Sequence, residues 1–128
     1  MPIERRTMLG GALAAAGAAG AARAQESPAM YGLIGRMTAK PGQRDPLIAI
    51  LLGGVSGMPG CLSYIVAKDP EDADAIWITE VWDTAASHRA SLSLPSVQAA
   101  IAKGRPLIAG MDKGTQTVVV GGHGLAKG

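Results

Sequence analysis

The sequence predicts an α+β domain of the ferredoxin-like type: elements in the order β-α-β-β-α-β, one four-stranded antiparallel sheet, and helices on one face. Three observations lead there. Two runs with strand alternation, Cys61–Lys68 and Ala75–Trp82, are joined by the acidic turn Asp69–Asp74, which makes a hairpin. Apolar runs with helical start and stop signals stand before and after that hairpin. A Gly-containing strand run, Met30–Met37, opens the pattern, and the β-branched run Thr115–Val120 closes it. At 128 residues the chain has room for one domain.

In the first strand, Gly32 and Gly35 point to close approach by another backbone. Thr38–Gly42 is a turn. Gln43-Arg44-Asp45-Pro46 opens a helix, with Asp45 as its expected cap and Pro46 in its first turn. Leu47–Leu52 continues that helix, and Gly53, Gly54 and Gly57 end it. Met58-Pro59-Gly60 turns the chain into Cys61–Lys68, where Leu62, Tyr64 and Val66 share one face and Ser63, Ile65 and Ala67 the other. In Ala75–Trp82, Ile76, Ile78, Glu80 and Trp82 share a face, while Trp77 and Val81 point the opposite way. Asp83 or Thr84 caps a short helix through Leu92. Ser93-Leu94-Pro95 interrupts it, and Pro95 restarts a helix in which Val97, Ile101 and Ile108 keep helical spacing. Met111–Gly114 is a turn before the last strand. Residues 121–128 read as a flexible tail.

Residues 1–24 read as a targeting segment. Arg5-Arg6-Thr7-Met8-Leu9 resembles a twin-arginine export signal, an Ala/Gly-rich run follows, and Ala22-Arg23-Ala24 is an A-x-A cleavage pattern. The Ala/Gly run is too short and too weakly apolar to span a bilayer. The expected location is periplasmic or otherwise exported, with cleavage after Ala24, a short lead-in over 25–29 and the domain over 30–120. Removing that segment takes away Arg5, Arg6 and Arg23 against Glu4, which leaves a formally neutral chain in place of the net charge of +2. A neutral chain carries no electrostatic footprint for nucleic acid, and no stable membrane insertion is expected once the signal is removed.

With aromatics at 3% and no Phe, the core has to be aliphatic. Apolar residues nevertheless occupy both faces of the strands. Helices cover one face, so a monomer would expose the other, and a face-to-face homodimer would bury it. The single Cys61 excludes an internal disulfide. It has no His or cation beside it to favour a thiolate. Together with His88 and His123 it does not make a zinc constellation, so no metal is expected. Gly53-Gly54 and Gly121-Gly122 lack the lysine and spacing of a phosphate loop.

Thr38–Gln43 after a first strand, Met58-Pro59-Gly60-Cys61-Leu62-Ser63-Tyr64, and Glu80-Val81-Trp82-Asp83 before an Ala-rich helix carrying His88 together resemble the antibiotic biosynthesis monooxygenase family, which includes small quinol monooxygenases. The likeness spans residues 30–120. It implies a dimeric α+β barrel, a pocket between sheet and helices in each subunit, and oxygenation of a hydroquinone or phenolic aromatic by molecular oxygen without metal or flavin. The haem-degrading branch of the family relies on an Asn in the first strand, and this chain contains no Asn.

Within such a pocket each candidate has a chemical reading and a plainer one. His88 is a candidate base for a phenol proton, since imidazole titrates near neutrality; the plainer reading is a packed helix histidine. Glu80 stands among apolar neighbours, where burial raises a carboxyl pKa toward a working range. Its plainer reading is an ion pair with Arg36 or Arg89. Trp82 and Tyr64 are candidate substrate-binding walls, or simply core. Arg36 is a candidate partner for a substrate oxygen, or a solvated edge charge. Trp77 faces the other way and fits a dimer interface. The rival functions are a non-catalytic dimeric barrel binding a small hydrophobic ligand, of a stress-response type, and a purely structural module.

Overall fold

The computed structural model describes residues 29–126, so the expected targeting segment and cleavage point lie outside the described residues. The order is β1 (Met30–Ala39), α1 (Arg44–Gly54), β2 (Cys61–Lys68), β3 (Ala75–Trp82), α2 (Ala85–Ser91), α3 (Pro95–Gly104), a 3-10 turn (Arg105–Leu107), β4 (Ile108–Met111) and β5 (Thr115–Val119). The sheet runs β2-β3-β1 and then an edge made of β4 and β5, which both pair with β1, all antiparallel. This is the ferredoxin-like arrangement, with one departure: the fourth strand is two strands.

The break follows from local chemistry. The helical spacing of Val97 and Ile101 extends in the sequence to Ile108, but the helix stops at Gly104. Arg105 is still helical, at φ −51° and ψ −45°, and its N–H donates to the Ile101 carbonyl, but Pro106 has no N–H to continue the ladder. Arg105-Pro106-Leu107 therefore forms one 3-10 turn, and Ile108–Met111 becomes strand instead of helix and turn. Residues 112–114 interrupt the edge before β5. Ile34 pairs with Thr115 and Met37 with Met111, so four steps on the edge span three on β1. That one-residue slip turns odd-numbered Met111 and even-numbered Gln116 toward the same face.

Register sorts every strand residue by face. Tyr31, Leu33, Gly35 and Met37 pair with Trp82, Glu80, Ile78 and Ile76, and this is the face the helices cover. The core there is Met37, Ala39, Leu47, Ile76 and Ile78, with Leu51, Val66, Leu107 and Ile108 packed around it. Leu47 and Ile76 have no exposure; full burial of such side chains stabilises by about 1.5–3 kcal/mol each. α1 and α3 touch where both carry small residues. A side chain on Gly54 would meet the Ala100 Cβ at 2.5 Å, so these helices sit closer than a larger residue would allow.

The opposite face carries Ile34, Arg36, Ile65, Trp77, Thr79 and Val81. Ile34, Ile65 and Trp77 are exposed there. Arg36 anchors one end of this face, bonding Asp72 at 3.0 Å and lying 3.6 Å from Asp69 and 4.0 Å from Asp112. The Trp77 indole donates to Asp69 Oδ2 at 2.8 Å, and the Arg36 guanidinium carbon lies 5.8 Å from the Trp77 ring centroid.

Three local expectations change. Asp45 does not cap α1; Gln43 is at that position without a side-chain cap, and Asp45 pairs with Lys68 at 3.1 Å. Gly32 is crowded by the side chains of Thr117 and Val119 instead of a backbone, and a Cβ on Gly35 would meet nothing within 4 Å. The C-terminal tail is tied at one point, where Ala126 N–H donates to the Leu62 carbonyl at 2.9 Å.

Candidate active site

Trp82 closes β3 with 1% exposure, and Glu80 stands two residues earlier on the same face. Because alternate strand residues point the same way, the indole reaches back and its Nε1–H donates to Glu80 Oε1 at 2.8 Å. The chain then turns. Asp83 N–H donates to the Gly60 carbonyl at 2.9 Å, tying the end of β3 to the turn before β2. Gly60 has φ +83°, and an added Cβ there would stand 2.6 Å from Ser87, so this turn requires glycine. Thr84 caps α2, its hydroxyl accepting from Ser87 N–H at 3.1 Å. That cap fixes the first turn of α2 and sets His88 over the end of the sheet.

His88 Nε2 lies 3.9 Å from Glu80 Oε1, within reach as an ion pair but beyond a direct hydrogen bond. The imidazole sits between two rings, with the Tyr31 centroid at 5.3 Å and the Trp82 ring edge-on at 5.5 Å. The His88 backbone carbonyl accepts from the buried Ser91 hydroxyl at 2.6 Å. Four residues from three elements thus form one cluster: Tyr31 from β1, Glu80 and Trp82 from β3, and His88 from α2.

The cluster lines a cavity of about 810 Å³ between sheet and helices. The cavity is mostly apolar, walled by residues such as Leu33, Ile78, Val97 and Met58, and Tyr64 also borders it. Gly35 adds room, because its place on the cavity floor holds no side chain. Apolar surroundings cost the ionised form of any acid they enclose. Burial holds the Glu80 carboxyl above the usual carboxylate range, against the opposing pull of the Trp82 N–H and of His88. Burial likewise pushes the Tyr64 phenol well above its ordinary range, assisted by the Glu80 charge, and pushes the Cys61 thiol up. Tyr64 is therefore a neutral hydroxyl near neutral pH. Among the described residues no group of three His, Cys, Asp or Glu side chains is placed to hold a metal ion.

Of the residues singled out in the sequence, Glu80, Trp82, His88 and Tyr64 share this cavity. Arg36 also borders the cavity, but its guanidinium is engaged by Asp72, Asp69 and Asp112 and lies beside the Trp77 ring of the opposite face. Glu80 pairs with neither Arg36 nor Arg89; its partners are Trp82 and His88. Tyr31 was missed. Its signal was the strand parity that sets it opposite Trp82, but that needs the β1–β3 register, which no short motif supplies.

Comparison with known proteins follows the same outline. A model of the antibiotic biosynthesis monooxygenase family matches residues 30–103. A solved structure of a candidate antibiotic biosynthesis monooxygenase from Chloroflexus aurantiacus J-10-fl is similar at 72% identity and a TM-score of 0.74, covering 76% of this chain and 99% of that one. Two more distant structures share the fold. PA3566 from Pseudomonas aeruginosa does so at 21% identity and TM-score 0.66, over 74% of this chain and 98% of its own. A candidate antibiotic biosynthesis monooxygenase from Caulobacter crescentus CB15 does so at 16% and 0.68, over 78% and 99%. No curated protein matches the sequence.

Proposed function

Because this chain belongs to the antibiotic biosynthesis monooxygenase family, we propose that it oxygenates a hydroquinone or phenolic aromatic with molecular oxygen in the cavity between sheet and helices. The observation that carries this reading is the placement of Glu80 and His88, 3.9 Å apart, in an apolar cavity with aromatic walls. A carboxyl raised by burial and an imidazole are bases suited to a phenol proton. The apolar walls hold a planar ring and keep bulk water from the reacting centre.

The chemistry needs only the substrate and oxygen. The Glu80–His88 pair accepts the phenol proton. The phenolate passes one electron to O2, giving a phenoxyl radical and superoxide. These combine at a ring carbon that bears hydrogen. The pair returns its proton to the resulting peroxide, and O–O cleavage with loss of the ring hydrogen as a proton releases water and leaves a carbonyl. One oxygen atom ends in the product and the other in water, and the substrate supplies all four electrons. Tyr31, Trp82 and Tyr64 contact the ring.

We further propose that the chain works as a homodimer joined through the open sheet face, after export by the twin-arginine route.

Oxygen uptake by the purified protein with a panel of hydroquinones under air tests the activity. Uptake above the buffer control, diminished in His88→Ala, is expected. Uptake no faster than buffer across the panel would leave a ligand-binding barrel without catalysis. Unchanged turnover in His88→Ala would leave Glu80 as the base.

A further inference from the structure

The cavity is electrically lopsided. Its inner end holds the Glu80 carboxylate. Its outer rim, where the edge strand breaks, holds Arg105 and Lys113, both exposed. Asp112 also borders the rim, 4.0 Å from an Arg36 that is paired more closely with Asp72 and Asp69, so its charge opposes part of that of the two cations and the rim stays positive by about one charge. Among the described residues no acidic side chain pairs with Arg105 or Lys113, whereas Arg36 and Lys68 both have acidic partners. Ile108 and Met111, which lie between the two cations in sequence, also line the cavity.

Both rim segments are held by the sheet. Lys40 N–H donates to the Leu107 carbonyl at 2.8 Å, just beyond Arg105. Asp112 N–H donates to the Arg36 carbonyl at 2.9 Å, just before Lys113. A cation at the end of α3 is favoured by the helix dipole, which accounts for Arg105 by itself. It does not account for Lys113, which the break in the edge strand brings to the same rim.

We infer that Arg105 and Lys113 select an aromatic substrate bearing an anionic substituent, such as a carboxylate, and orient it with that substituent outward. This rests on the proposed reading of the cavity as the substrate site. Glu80 repels an anion from the inner end and the rim attracts it, so both charges favour one orientation: hydroxyl toward Glu80 and His88, acid group at the mouth. The rim is wet, so each cation contributes modestly and salt weakens it.

The test compares binding of 6-hydroxy-2-naphthoate and 2-naphthol to the purified full chain under argon, at neutral pH, by calorimetry. The acid is expected to bind roughly three- to tenfold tighter at low salt, from two partly screened charge contacts. That preference falls toward one in 0.5 M sodium chloride (a Debye length of roughly 4 Å) and in the Arg105→Gln, Lys113→Gln double variant. Equal binding of the two compounds at low salt, or a preference retained in the double variant, overturns the inference while the cavity reading stands. Binding of neither compound overturns both.

Discussion

The indole N–H of Trp82 donates to Glu80 Oε1 across 2.8 Å, between two residues on one face of one strand. It gives a carboxylate in an apolar cavity a fixed donor. It also lowers a pKa that burial raises. Trp82→Phe keeps most of the ring and removes the donor. Losing a hydrogen bond to a charged group costs about 1.5–3 kcal/mol, readable by thermal or urea unfolding. The acidic limb of kcat/KM for oxygen uptake is expected to move to higher pH. A variant with an unmoved limb would show that Glu80 is not the group titrating there.

Glu80→Gln keeps an acceptor for the indole and removes the base. A rate loss of about 10²–10⁴ is expected for a general base. Stability should respond with the opposite sign. The folded state holds the Glu80 proton to higher pH than the unfolded chain does. Its contribution is therefore full below the unfolded carboxyl range and declines as pH rises through the raised folded value. Unfolding curves across that range should show the decline in the wild type and not in the variant.

Two glycines separate turn geometry from cavity space. At Gly60, φ is +83° and Ser87 stands 2.6 Å from any added Cβ. Gly60→Ala should cost at least ~1–2 kcal/mol from the backbone alone, seen as a lowered melting temperature. At Gly35 a Cβ meets nothing within 4 Å, and the position faces the cavity. Gly35→Leu should leave the fold intact and weaken 2-naphthol binding by about tenfold or more, since it fills the space a ring would take.

The open face tests assembly. Ile34, Ile65 and Trp77 are exposed on it, and a charge placed among them opposes burial. Light scattering at micromolar concentration should give a dimer for the wild type and a monomer for Ile65→Lys. A monomeric wild type would refute the dimer proposal.

Export is tested by changing both Arg5 and Arg6 to Lys. The variant is expected to stay in the cytoplasm at full-length mass, while the wild type is exported and loses residues 1–24. Normal export of the variant would point to the general secretory route.

Much of this was legible in the chain. Strand alternation placed Glu80 and Trp82 together and Trp77 opposite, and the Thr84 cap put His88 at the start of a helix. What alternation within one strand cannot supply is register between strands. That register decides that Tyr31 meets Trp82 and that Arg36 lies beside Trp77 instead of Glu80. β4 was hidden for another reason. Ile108-Ala109-Gly110-Met111 has weak strand propensity and continues an apparent helical spacing, so only the stop imposed by Gly104 and Pro106 betrays it.

The broken edge has a consequence for behaviour in a crowded compartment. A long, regular edge strand is an open template onto which another chain can add. Here a strand arriving at this side finds two ladders of four and five residues, one residue out of step and separated by Asp112, Lys113 and Gly114. It can match one ladder or the other but not both, and a charged pair of residues stands between them. The interruption that gives the cavity its rim also makes this edge a poor seed for aggregation.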